Sequence, residues 1–192
     1  MKIRTLLISV LALSFALAAC DFNSGVEQGR AVAFDPATKT MTIVVDANRN
    51  SANPSYTGAV ITYKLPVEAK EMGPKPLVGG LLKINLDKSL VIFDPVFNAP
   101  KEIAVEFTDV EKNIDSKHPK VAGKTFPLID EEKERVTIYS SDLKALITFK
   151  PQRLLSPDVW ADGDIMRVAF RNDDKIQAIR VMNVSKTDIF KR

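Results

Sequence analysis

Asp35-Pro36-Ala37-Thr38-Lys39-Thr40-Met41-Thr42-Ile43 aligns without a gap on Asp130-Glu131-Glu132-Lys133-Glu134-Arg135-Val136-Thr137-Ile138. Each stretch reads as a turn opened by an aspartate and followed by a strand that ends in Thr-Ile. Three more matched blocks follow in the same order. Ile61-Thr62-Tyr63-Lys64, with Pro66 just after, matches Ile147-Thr148-Phe149-Lys150-Pro151. Gly79-Gly80-Leu81-Leu82-Lys83-Ile84-Asn85-Leu86 matches Gly163-Asp164-Ile165-Met166-Arg167-Val168-Ala169-Phe170, and Ala104 to Val110 matches Ala178 to Val184. Ordered self-similarity of this kind indicates an internal duplication. The first copy is the longer, with insertions within Ala47 to Ser55 and within Leu90 to Pro100.

Outward from these blocks, nearly every segment has strand character. Short runs rich in Val, Ile, Thr and aromatic residues, bounded by Gly, Pro, Asn or Asp, occur at Arg30 to Phe34, Met41 to Asp46, Val60 to Leu65, Leu81 to Leu86, Leu90 to Phe93 and Ile103 to Val110. They recur at Arg135 to Tyr139, Ala145 to Lys150, Ile165 to Arg171 and Ile176 to Val184. No window carries the 3.6-residue apolar period of a long amphipathic helix, so the expected class is all-β. A composition of 45% hydrophobic and 27% charged residues is that of a globular chain rather than a disordered stalk.

The order within each copy resembles small five-stranded OB-like barrels, particularly those of periplasmic copper chaperones, in which a Gly-Asp turn leads a strand like Asp164 to Phe170. The resemblance implies two tandem barrels, 29–110 and 127–192, joined by a linker at 111–126. The alternative is a single pseudo-twofold sandwich or barrel built from both halves. Copper chaperones of this type use a His, two Met and a Trp around the strand that corresponds to Ile61-Thr62-Tyr63 or Ile147-Thr148-Phe149. Neither strand has His or Met, and the chain's one histidine, His118, lies in the linker. Soft metals need clustered thiolate, thioether or imidazole ligands. The metal function is therefore not expected to transfer, and no cofactor is implied.

The N-terminus has a different logic. Lys2 and Arg4 precede the apolar run Leu6 to Leu17, which is shorter than the roughly 20 residues a membrane-spanning helix needs. The run closes in Leu17-Ala18-Ala19-Cys20, which resembles the lipobox of bacterial lipoproteins. That resemblance implies a signal peptide at 1–19, cleavage before Cys20, and lipid on the Cys20 thiol and new amino group. The membrane partner would be bilayer lipid, reached through acylated Cys20. Residues 20–28 would then form a tether; Phe22 to Gln28, at about 3.5 Å each, reach no more than about 25–30 Å. Asp21 resembles the signal that keeps Gram-negative lipoproteins in the inner membrane, so the expected location is the inner membrane facing the periplasm. Acylation would also use the only cysteine in the chain, leaving neither a disulfide nor thiol chemistry.

Loss of Lys2 and Arg4 takes the formal charge from +3 close to neutrality, with no polybasic tract. Nucleic-acid binding is accordingly not expected. With one His and no spare Cys, nucleophile–base pairs of the Ser/His or Cys/His kind require His118, and no enzyme is expected. Asp162-Gly163-Asp164 and Asn172-Asp173-Asp174 lack the alternating oxygen ligands of a calcium loop and read as hairpin turns. Two features suggest a binding surface. By the period-two rule, Met166, Val168 and Phe170 face one way while Arg167 and Arg171 face the other; Arg180 joins them if Ile179 and Val181 are core. Trp160 is the only tryptophan, suited to capping a barrel or to stacking on a ligand. The expected function is that of a non-enzymatic, lipid-anchored binding or assembly module of the cell envelope with an envelope protein partner. The alternative is a small-ligand or glycan binder.

Overall fold

The computed structural model describes residues 24–49 and 53–187. Its strands are β1 (Ser24–Asp35), β2 (Thr40–Val45), β3 (Val60–Lys64), β4 (Leu81–Asn85), β5 (Ser89–Asp94), β6 (Ala99–Lys112), β7 (Leu128–Asp130), β8 (Arg135–Ser140), β9 (Ala145–Pro151), β10 (Ile165–Arg171) and β11 (Ala178–Asn183). Two single turns of 3₁₀-helix, Ala69–Glu71 and Pro157–Trp160, interrupt the connectors. The fold is all-β, and no α-helix occurs among the described residues.

The matched blocks build the same local structure twice. Lys39 and Glu134 occupy equivalent turn positions and both adopt positive φ, +53° and +52°. The Asp35 carboxylate accepts from the Ala37 and Thr38 amides, as the Asp130 carboxylate accepts from the Lys133 amide. The strands that follow pair in matching register: Thr42 faces Thr62 and Ile43 faces Ile61, while Thr137 faces Thr148 and Ile138 faces Ile147. In both ladders the facing threonine hydroxyls hydrogen-bond at 2.9 Å.

The assembly of these units differs from the expected pair of barrels, one per repeat. The strands form two antiparallel sheets, ordered β11-β10-β1-β2-β3 and β4-β5-β6-β9-β8-β7. Each sheet joins strands from both halves. β1 pairs with β10 from Ser24↔Arg171 to Arg30↔Ile165, and β6 pairs with β9 from Val105↔Pro151 to Lys112↔Ala145. The span 111–126 thus connects two strands of one sheet. Neither sheet is a closed barrel. In the five-stranded sheet, edge strands β3 and β11 form no ladder; Lys64 at the end of β3 makes an isolated parallel bridge with Gln177, just before β11, and Met72 bridges Val181 beyond it. Pooling strands from both halves raises the fraction of surface buried, which is small for a domain of half this length. β5 falls within the segment read as an insertion and supplies the extra strand of the six-stranded sheet.

Burial follows this exchange. Met41, Ile43 and Tyr63 from the first half pack with Met166, Val168 and Phe170 from the second. Leu90 and Ile92 pack with Val136, Ile147, Phe149 and Trp160. A third cluster, Val44, Tyr56, Leu82 and Phe93, lies between the sheets. β2 is therefore buried on both faces: Met41 and Ile43 point into the first core while Val44 points toward the other sheet.

The sheets cross where the main chains touch. The Gly79 amide donates to the Ala31 carbonyl at 3.0 Å, and the Ala31 amide donates to the Asp164 carbonyl at 2.9 Å. A Cβ on Gly79 would lie 2.6 Å from the Gly163 amide nitrogen, and one on Gly163 would run into the Ala31 carbonyl oxygen. The glycines that lead β4 and β10, matched in the sequence, abut each other at a bulge in β1 between Ala31 and Ala33. Gly163→Ala is expected to cost at least about 2–3 kcal/mol, the upper range of overpacking, because the neighbours are backbone atoms. Gly123 has positive φ but nothing within 4 Å of an added Cβ, so Gly123→Ala should cost only about 1–2 kcal/mol of left-handed strain. Urea unfolding of both variants checks the order.

Candidate functional site

The crossing leaves a cleft of about 520 Å³ between the sheets, within the range of small-molecule sites. One wall comes from the five-stranded sheet and its loop: Arg30, Tyr56 and Ile165. The other comes from β4 and the β8–β9 turn: Leu82, Lys83, Ser140, Asp142 and Leu143. Asp162, in the connector before β10, sits between them.

Arg30 is the organising group. It directly precedes Ala31 at the crossing and is only 8% exposed. Its Nη1 donates to the Leu81 carbonyl at 3.3 Å and to the Asp162 carboxylate. Its guanidinium lies over the Tyr56 ring, 4.7 Å from the centroid, a cation–π contact strengthened by removal from water. Arg30 Nε and the Tyr56 hydroxyl are buried and have no hydrogen-bond partner among the described residues. Unsatisfied buried donors are rare enough in folded proteins to call for an explanation.

Asp162 is shifted in the opposite direction from several exposed carboxylates. The Asp162 side chain keeps 46% of its surface open through the cleft mouth, yet protein atoms crowd its other sides. That crowding pushes its pKa up; Arg30 opposes the rise and nearby Asp142 adds to it. Burial likewise raises the Tyr56 pKa against the pull of Arg30. By contrast, the exposed carboxylates Asp35, Asp130 and Glu134 are held below their ordinary values, chiefly by hydrogen bonds from Thr38, the Lys133 amide and Lys150 respectively.

Asp162-Gly163-Asp164 is not the hairpin turn expected from the sequence. The two carboxylates diverge around Gly163. Asp162 enters the cleft, while Asp164 is buried and accepts from the Leu77 amide at 2.7 Å and from Asn183 Nδ2 at 2.8 Å, with Lys186 Nζ at 3.1 Å. Among the described residues no three His, Cys, Asp or Glu side chains converge as metal ligands do.

The three arginines do share the exposed face of β10 and β11. Arg167 and Arg171 lie two residues either side of Ala169, whose partner is Arg180. Each is nevertheless engaged separately. Arg167 Nη2 donates to Gln28 at 2.8 Å, Arg171 binds Asp173 through two parallel bonds of 2.9 Å, and Arg180 Nε donates to Glu71 at 2.6 Å. The assumption that Ile179 is core does not hold. A register shift between Ala169 and Phe170 buries Ala178 instead, and Ile179 is 41% exposed. Trp160 is 1% exposed, edge-on to Phe149 with centroids 5.4 Å apart, and its indole donates to the Leu155 carbonyl. Its enclosed ring is packed as core and offers no open stacking face. Cys20 and Asp21 lie outside the described residues.

Arg30, Tyr56 and Asp142 were not singled out in the sequence. Arg30 sits in a strand of small residues, Tyr56 follows an insertion, and Asp142 reads as an ordinary turn residue. Only the sheet crossing brings them together.

Residues 22–192 match the family described as Domain of unknown function (DUF4881), and the chain belongs to that family. Neither a curated protein nor a solved structure matches it.

Asp162→Ala should cost about 2 kcal/mol by stripping a buried guanidinium of its anionic partner. Arg30→Met combined with Asp162→Ala should regain part of that loss, because an apolar side chain needs no partner there; urea unfolding measures both. The pH dependence has a definite sign. An acid whose folded pKa is raised binds more protons folded than unfolded, so its contribution falls as pH rises from the unfolded value near 3.8 through the folded one. The stability difference, wild type minus Asp162→Asn, should therefore shrink between pH 4 and pH 7.

Proposed function

We propose that this chain is a lipid-anchored, non-enzymatic binding module of the bacterial cell envelope, tethered through Cys20 and binding through the inter-sheet cleft. The anchor reading rests on the basic start, the short apolar run and the Leu17-Ala18-Ala19-Cys20 motif. The observation that carries the binding reading is the cleft, where a 92%-buried arginine with an unpartnered Nε lines the same space as Tyr56, Asp142 and Asp162. That arrangement favours the small-ligand form of the module over a pure assembly scaffold. An enzyme would call for a water-excluding pocket with a perturbed acid. Asp162 is perturbed, but it is open to solvent and bound to Arg30, which suits a recognition group better than an acid catalyst.

The finer architecture fits an internal duplication in which two OB-like units exchange their terminal strands. The twice-built turn and threonine ladder support it, as does the placement of β10 antiparallel to β1, with Gln177, just before β11, bridged in parallel to Lys64 of β3. Location in the inner membrane, facing the periplasm, follows the Asp21 resemblance.

Cys20→Ser in the native host is the deciding experiment for the anchor. The variant should move from the membrane to the soluble fraction while retaining wild-type thermal stability. Retention in the membrane overturns the anchor reading.

A further inference from the structure

The cleft's charges are balanced, and two of them are unused. Arg30 and Lys83 supply two positive groups, Asp142 and Asp162 two negative ones. Arg30 and Asp162 hold each other through Nη1, and the buried Arg30 Nε has no hydrogen-bond partner among the described residues. Lys83 and Asp142 form no ion pair or side-chain hydrogen bond among the described residues. Asp142 is close enough to raise the pKa of Asp162 and, as a smaller influence, that of Tyr56. Its side chain lines the cleft with them. The remaining lining includes Leu82, Leu143 and Ile165.

An anion would be attracted by Arg30 and Lys83 but repelled by Asp142 and Asp162, and a cation the reverse. A ligand without charge would leave the unused ion sites unpaired when it displaced their water, at a desolvation cost. A stacking sugar lacks its platform, because Tyr56 is 2% exposed and already covered by Arg30. What the site complements is one ligand carrying both signs on a short apolar frame.

We propose that the cleft binds a small zwitterion, of the size of a dipeptide or amino acid with an apolar side chain. Its ammonium meets Asp142 and its carboxylate meets Lys83 and the Arg30 guanidinium, with the side chain against Leu82 and Leu143. This rests on reading the cleft as the binding site. An ammonium and an anionic group also coexist in a phosphoethanolamine headgroup, a second source of the same chemistry.

The test is isothermal titration of the full-length protein in detergent micelles with four probes: alanyl-leucine, N-acetyl-alanyl-leucine, alanyl-leucine amide and phosphoethanolamine. Saturable binding of alanyl-leucine, at least tenfold weaker for each capped form, supports the proposal and identifies a peptide-like source. Saturable binding of phosphoethanolamine alone supports it and points to the headgroup. Asp142→Asn, on an exposed turn, should weaken the preferred zwitterion at least tenfold with an unchanged unfolding midpoint, and Lys83→Gln should weaken it to a smaller degree. Binding of neither zwitterion, equal binding of the capped forms, or unchanged affinity in Asp142→Asn overturns it. Should zwitterions fail while glucose binds saturably and Arg30→Met abolishes that binding, only the ligand class falls and the cleft remains the binding site.

Discussion

A three-way main-chain contact at Ala31, Gly79 and Gly163 sets the relation between the two sheets. Backbones that approach to hydrogen-bonding distance leave no room for side chains, so both glycines are required by space rather than by unusual dihedral angles. Once the contact is made, much else follows from chain adjacency. Arg30 and Asp162 are immediate neighbours of contact residues and are delivered face to face. Leu81, two residues beyond Gly79, offers its carbonyl to the same guanidinium. Asp164, on the other side of Gly163, is turned away to fasten the 74–77 connector and Asn183. A single crossing thus positions both the structural carboxylate and the one in the cleft.

The Arg30–Asp162 pair illustrates why a buried charge has a directional meaning. Taking a guanidinium out of water is costly, and one carboxylate with one carbonyl does not satisfy all five of its N–H groups. The Tyr56 ring recovers part of the loss through its π face, but leaves its own hydroxyl without a partner. The result is a cleft wall with residual hydrogen-bonding capacity, next to charges on Lys83 and Asp142 that nothing else on the described chain neutralises. By comparison, the arginines of β10 and β11 are each met by a nearby polar or acidic group, and their face has less left to offer a partner.

Local structure was well legible in the sequence. The aligned Asp turns and the Ile-Thr-aromatic-Lys strands appear where the matched blocks place them, because turn geometry and cross-strand register depend on residues within a few positions, whereas the Thr-Ile pairs fall mid-strand in β2 and β8, which run on to Val45 and Ser140. The outward face of Arg167, Arg171 and Arg180 was legible for the same reason, whereas Ile179 was misread because a bulge breaks period-two alternation. Trp160 could be recognised as special, but not as enclosed. The cleft was hardly legible at all: Arg30, Tyr56, Asp142 and Asp162 come from four separate segments and share no motif.

The sequence by itself determined that the chain is β-rich, that two of its meanders share one design, and that its one cysteine, Cys20, directly follows a short apolar run. These properties rest on side-chain alternation, turn chemistry and a contiguous motif, all readable along the chain. Only the tertiary structure decided which strands are neighbours. A strand edge will accept any partner of compatible register, and the choice of β10 for β1 and β9 for β6 depends on how much apolar surface the whole molecule buries. That choice joined the halves into two shared sheets, brought Gly79 against Gly163, and made a cleft from residues that are unremarkable where they stand in the chain.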